Sequence, residues 1–148
     1  MTIFILFIGR YLMYLLLVLL FLGLIIPRYR HLAITSFLAA GLAYAVGWTI
    51  KEFFYLPRPF ITAGTPPVLP YLLDGSLPSS HTAVSFAIAA VISLRHSRLG
   101  LIFIVLALLI AAGRILGGVH TYLDVLSGTL IGLASALILV PVDSCQSQ

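Results

Sequence analysis

Residues 74–94 read DGSLPSSHTAVSFAIAAVISL. A short polar turn leads through Pro78-Ser79-Ser80-His81 into an apolar run that ends at Leu94. Pro78 followed by serine is helix-start chemistry, because a serine oxygen can accept from backbone N–H groups that the first turn leaves free. That accounts for the serines and fixes a helix beginning near Ser80. It does not account for His81. A histidine at the mouth of an apolar helix is explained only by what stands beside it.

The rest of the chain says what kind of helix this is. Of its 148 residues 61% are hydrophobic, and the mean hydropathy is +1.18. Charged residues make up 8%, against roughly 25% in an ordinary soluble domain. So few charges cannot cover a water-facing surface, so the chain reads as an all-α integral membrane protein. The size implies one domain, residues 1–148. A single cysteine, Cys145, excludes an intrachain disulfide. The net charge of +4 is scattered and offers no patch for nucleic acid. No basic residue precedes the apolar TIFILFI, and no small-residue cleavage site follows, so the N-terminal run is expected to be a retained anchor.

Breaks in the apolar pattern predict a bundle of about five transmembrane helices. They cover Tyr11 to Ile26 (with a start before Arg10 also open), Leu32 to Phe54, Ser80 to Leu94, Leu99 to Leu116 and Tyr122 to Val140. Pro27, Gly117-Gly118 and Pro141 supply stops. The third run is short of the ~20 residues that span a bilayer, so it either starts below the surface or has its end shielded by neighbours. The linkers PRYRH (27–31) and RHSR (95–98) are short and basic. The linker 56–80 is long and rich in proline. Cytoplasmic loops carry the excess of Lys and Arg. The two basic linkers are therefore expected inside, and the Pro-rich loop and the GGVHTY turn outside. Five spans then put the N-terminus outside and the C-terminus in the cytoplasm.

Outside the two basic linkers the charges are Arg10, Lys51, Glu52, Arg58, Asp74, Arg114, Asp124 and Asp143. On this topology Lys51, Arg58, Arg114, His81, His120 and Asp124 meet in one layer near the outer leaflet. Taken singly each has a bland explanation. Lys51 and Arg58 can snorkel to the interface, and His81 can be part of a capped helix start. His120 and Asp124, four apart, share a helix face and can form a structural hydrogen bond or hold a metal. Taken together, three permanent cations and one carboxylate at membrane depth require an anionic partner. Phosphate meets that need, and the free N–H groups at Ser79–Thr82 point the same way. Three cations beside His120 and Asp124 argue against a metal, and nothing implies a cofactor.

The same residues carry a resemblance. KEFFYLPRP places six residues between Lys51 and Arg58-Pro59; PSSH runs from Pro78 to His81; GRILGGVHTYLD places five residues between Arg114 and His120, and three between His120 and Asp124. This pattern resembles the three-part signature K-x6-RP, PSGH and SR-x5-H-x3-D of the type 2 phosphatidic acid phosphatase superfamily, in order and in spacing. Ser80 stands where that family usually has glycine, and Gly113 where it usually has serine. Many members have six spans, one more than this chain suggests. YLPRPF, the Pro-rich loop and SLPSSHT are most similar to the small bacitracin-resistance type of undecaprenyl-diphosphatase.

The resemblance implies roles. His120 is the nucleophile and forms a phosphohistidine, Asp124 holds its ring, and His81 protonates the leaving oxygen and then activates water. Lys51, Arg58 and Arg114 hold the phosphoryl oxygens, with Ser79, Ser80 and nearby N–H groups adding bonds. The implied activity is metal-independent hydrolysis of a membrane lipid phosphate, undecaprenyl diphosphate first, with phosphatidylglycerophosphate, phosphatidic acid or a lipid A phosphate as alternatives. Transfer of the phosphoryl group to another lipid also fits. A non-catalytic anion carrier would explain the arginines but not two histidines and Asp124. Phe60, Leu69, Tyr71 and Leu72 are expected to form a partly apolar lid.

Overall fold

In a computed structural model, residues 1–71 and 74–140 are described. Leu72 of the expected lid, Pro141, Asp143 and Cys145 lie outside them. The described residues are helices and connecting loops. Helix α1 (Thr2–Leu6) runs through a π-helical turn (Phe7–Tyr11) into α2 (Leu12–Ile25), so the first apolar segment begins nearer the N-terminus than Tyr11. A 3₁₀ turn (Pro27–Tyr29) reverses the chain into α3 (Arg30–Phe53). The long loop carries one short helix, α4 (Pro59–Ala63), before α5 (Ser80–Arg95), α6 (Ser97–Leu116) and α7 (Tyr122–Leu139).

Among the described residues four stretches are long and apolar enough to cross a bilayer: Thr2–Ile25, Pro27–Phe53, Ser97–Leu116 and Tyr122–Leu139. The fifth, α5, is only 16 residues long. Packing explains how so short a helix is tolerated, since α3, α6 and α7 surround it and most of its side chains from Thr82 to Ile92 are buried. Its middle is thus shielded by protein, so little of the short helix needs to face lipid. Small residues permit the closeness. A Cβ on Gly132 of α7 would sit 2.4 Å from the Ala83 carbonyl oxygen of α5, and one on Gly128 would sit 2.6 Å from that of Ser79. Close backbone approach through small residues is how helices pack where no hydrophobic drive separates protein from lipid.

The two basic linkers come together at one end of the bundle, where Arg28, His31, Arg95 and His96 line a shared cleft. Lys51, at the far end of α3, lies at the opposite end with His81 and His120.

Candidate functional site

Local chemistry sets the site. Thr121 caps α7 with a capping box, in which Asp124 N–H donates to Thr121 Oγ1 and Thr121 N–H donates to Asp124 Oδ2 at 2.7 Å. The residue that starts the helix therefore also fixes Asp124. Gly118, at φ 74°, makes the left-handed turn that folds the chain back before His120. Asp124 Oδ2 also accepts from the Ser76 hydroxyl. The Asp124 carbonyl accepts from Ser79 N–H at 2.9 Å, which ties the PSSH block to α7.

His120 is 3% exposed. Its Nδ1 lies 3.5 Å from Asp124 Oδ2, and its Nε2 lies 3.4 Å from Arg58 Nη1. A guanidinium can only donate, so Nε2 is the lone-pair nitrogen and Nδ1 carries the proton toward Asp124. Burial pushes the His120 pKa down to about 4; Asp124 opposes this, while Arg114, Arg58 and Lys51 reinforce it. The ring is neutral at pH 7.

Opposite His120 stand the cations. Lys51 Nζ donates to Asp74 Oδ2 at 2.9 Å, and Arg58 Nη2 donates to Asp74 Oδ1. Burial raises the Asp74 pKa, but hydrogen bonds from Arg58 and Lys51 and their charges more than offset this, so Asp74 is held below the usual carboxylate range. Arg58 Nη1 donates to the Val119 carbonyl at 3.0 Å, and Arg114 Nη1 donates to that of Gly9 at 3.2 Å, while Arg114 Nε is buried without a partner.

Together these residues line an open cleft with a cavity volume of about 400 Å³. Lys51, Arg58, Arg114, His120 and Asp74 line it, as do Ser80 and His81. Of the residues expected at the site, Asp124 sits behind His120 and off the cavity wall. Ser79 is also off it. It is fully buried, and its Oγ accepts from the Thr82 hydroxyl at 2.9 Å rather than capping a backbone N–H. The expected serine cap at this position is therefore corrected: Thr82 competes for the same oxygen. Of the expected lid, Phe60 and Tyr71 pack ring to ring at 4.3 Å, and Tyr71 lines the cavity. Leu69 is buried instead, against Gly9 and Gly117.

Three participants were missed. Asp74 carries no motif in the sequence, yet it holds Lys51 and Arg58 together. Ser76 had no signal beyond its place in the turn before PSSH. Arg10 lines the cavity; its signal was its isolation as the single charge in the first apolar run.

Two nitrogen bases and three buried cations around a cleft can bind a phosphoryl group, attack it in line and protonate what leaves. Among the described residues no three His, Cys, Asp or Glu side chains gather as a metal site would require.

The PAP2 superfamily model matches residues 11–144. The chain belongs to the PAP2 superfamily. Within it, the chain is 33% identical over 138 residues to the bacitracin transport permease protein BcrC of Bacillus licheniformis, covering 88% of this chain and 66% of that protein. It is 36% identical over 110 residues to the putative undecaprenyl-diphosphatase YbjG of Escherichia coli, covering 73% of this chain and 55% of that one. With the undecaprenyl-diphosphatase BcrC of Bacillus subtilis the identity is 30% over 94 residues, covering 64% and 48%. The chain thus spans about half to two thirds of the length of these relatives. Its fold matches the crystal structure of Aquifex aeolicus LpxE with a TM-score of 0.79 at 33% identity, covering 93% of this chain and 84% of that one. This PAP2 chain is accordingly a multi-pass, all-α membrane protein.

Proposed function

We propose that this chain, as one transmembrane domain over residues 1–148, hydrolyses undecaprenyl diphosphate to undecaprenyl phosphate and inorganic phosphate, without a metal, at the outer face of the membrane. The observation that carries this reading is His120 Nε2 turned toward a cavity that also holds His81, Lys51, Arg58 and Arg114. Similarity to two relatives named as undecaprenyl-diphosphatases supports the choice of a lipid diphosphate.

The steps follow from the atoms. Lys51, Arg58 and Arg114 draw the terminal phosphoryl group in, and Arg58 moves from His120 Nε2 onto a phosphoryl oxygen. Nε2 attacks phosphorus as the bond to the bridging oxygen breaks. His81, which takes up a proton from solvent as the anionic substrate enters the cleft, gives it to the leaving lipid phosphate, and Asp124 stabilises the charge that develops on His120. Water then attacks the phosphohistidine; His81, now neutral, takes its proton, the P–N bond breaks and inorganic phosphate leaves. The cations stabilise the equatorial oxygens in both steps.

The test is phosphate release by the purified full chain from a polyprenyl diphosphate, phosphatidic acid and phosphatidylglycerophosphate, with and without excess EDTA. The expected result is the highest kcat/KM on the diphosphate, undiminished by EDTA. Release from none of these lipids contradicts the reading, as does loss with chelator restored by one divalent metal. For the side of the membrane, Thr65→Cys in a Cys145→Ser background should react with an impermeant thiol reagent in intact cells. Labelling only after permeabilisation places the site inside.

A further inference from the structure

The cavity is larger and more basic than one phosphoryl group needs. A water takes about 30 Å³ of liquid, so 400 Å³ has room for on the order of a dozen waters. Along α3 the lining runs from Lys51 down to Tyr44, seven residues or about 10 Å at the helical rise. The mechanism above uses Lys51, Arg58, Arg114, His81 and His120. Arg10, Met13, Tyr14, Tyr44 and Val84 also line the cavity, and the mechanism leaves them unused.

Arg10 is placed there by the backbone. It belongs to the π turn Phe7–Tyr11, and such one-turn bulges inside helices occur at functional sites. The bulge sits where Gly9 crosses Gly113 of α6: a Cβ on Gly113 would lie 2.5 Å from Gly9 N. The same crossing lets the Gly9 carbonyl accept from Arg114. Two arginines therefore enter one cavity from facing helices. Asp74 is bound to Lys51 and Arg58, and no carboxylate among the described residues pairs with Arg10. Its guanidinium carbon lies over the Tyr11 ring, 5.9 Å from the centroid. A half-buried, unpaired cation at membrane depth requires an anion. Tyr14 of α2 and Tyr44 of α3 line the same cavity and are 53% and 54% exposed, so an apolar chain can leave between them toward the bilayer.

We infer that Arg10, flanked by Tyr14 and Tyr44, forms a second phosphate subsite that binds the lipid-side phosphate of a diphosphate substrate and selects diphosphates over monophosphates. This rests on the proposed reaction and adds the basis of its selectivity. When the terminal phosphoryl group passes to His120, the bridging oxygen leaves with the lipid-side phosphate, whose negative charge grows to the extent that His81 has not protonated it. Arg10 stabilises that charge. A lipid monophosphate puts no phosphate there.

The test compares a lipid diphosphate and monophosphate with the same prenyl chain, using the full chain in lipid nanodiscs. Arg10→Gln should lower kcat/KM on the diphosphate at least roughly tenfold, the scale of a lost charged hydrogen bond, and leave the monophosphate nearly unchanged. Arg10→Lys should restore part of the ratio. Equal loss on both substrates, or loss on neither, overturns the inference while leaving the hydrolysis intact. A wild-type chain inactive on both overturns the reaction itself. Wild-type protein supplies an independent measurement: inorganic pyrophosphate should inhibit at lower concentration than inorganic phosphate, and equal inhibition counts against the subsite.

Discussion

His120 Nδ1 stands 3.5 Å from Asp124 Oδ2, at the outer limit of a hydrogen bond, because that oxygen already accepts from Ser76 and from Thr121 N–H. Contacts of this kind are often long before substrate binds and tighten when charge develops. Asp124→Asn keeps the size and removes the charge. Turnover should fall by a factor on the order of 10³–10⁴, as when a carboxylate behind a reacting histidine is neutralised. KM should change little, since Asp124 is off the cavity wall. A variant within tenfold of wild-type kcat would show that Asp124 only caps α7.

Asp74 draws Lys51 and Arg58 together and also competes with substrate for them. Asp74→Asn can still accept from Arg58 but adds one net positive charge to the cavity. Inorganic phosphate should then inhibit at roughly tenfold lower concentration, a difference of about 1.4 kcal/mol. Weaker inhibition would mean that the pair needs Asp74 for its position more than phosphate needs its removal.

The depressed His120 pKa has a consequence for stability. In the unfolded chain His120 takes up a proton below about 6.5, whereas in the fold it resists protonation down to about 4. The unfolded state therefore binds more protons in that window, and stability present above pH 6.5 is lost as pH falls toward 4. The melting temperature in detergent should drop by roughly 5–10 °C across it. His120→Asn should flatten that slope. An unchanged slope in the variant would assign the effect to other groups.

The packing of α5 on α7 leaves no room at Gly132, where a Cβ would also lie 2.9 Å from Ala87 N. Gly132→Val should lower the melting temperature and the yield of monodisperse protein, since overpacking costs about 1–3 kcal/mol or more. Gly41, with nothing within 4 Å of its Cβ position, is the control: Gly41→Ala should be neutral or mildly stabilising. Equal tolerance at both positions would contradict this packing.

Much of this was legible in the sequence for physical reasons. Apolar runs in a bilayer have few alternatives to helix, so α3, α6 and α7 begin and end within about two residues of the expected positions. The spacing of Arg114, His120 and Asp124 survives because one turn and one capping box hold it. What was not legible depends on long-range approach. Nothing local tells that Gly9 meets Gly113, and without that crossing Arg10 is only a charge in an apolar run. The partner of Lys51 and Arg58 waited on the path of the 56–80 loop, which brings Asp74 back beside them. Ser79 illustrates a local ambiguity: its hydroxyl has more than one nearby donor, and Thr82 takes it.

The central claim is a covalent phosphoryl group on His120. The most direct test mixes the purified chain with a polyprenyl diphosphate labelled in its terminal phosphate, quenches it in alkali within the first turnover, and maps the label by peptide. The account predicts an acid-labile, base-stable label on the peptide containing His120. It should build up further in His81→Ala, whose second step lacks a base, and be absent from His120→Asn. Phosphate release from wild type without any labelled intermediate, or a label that persists in His120→Asn, would contradict it.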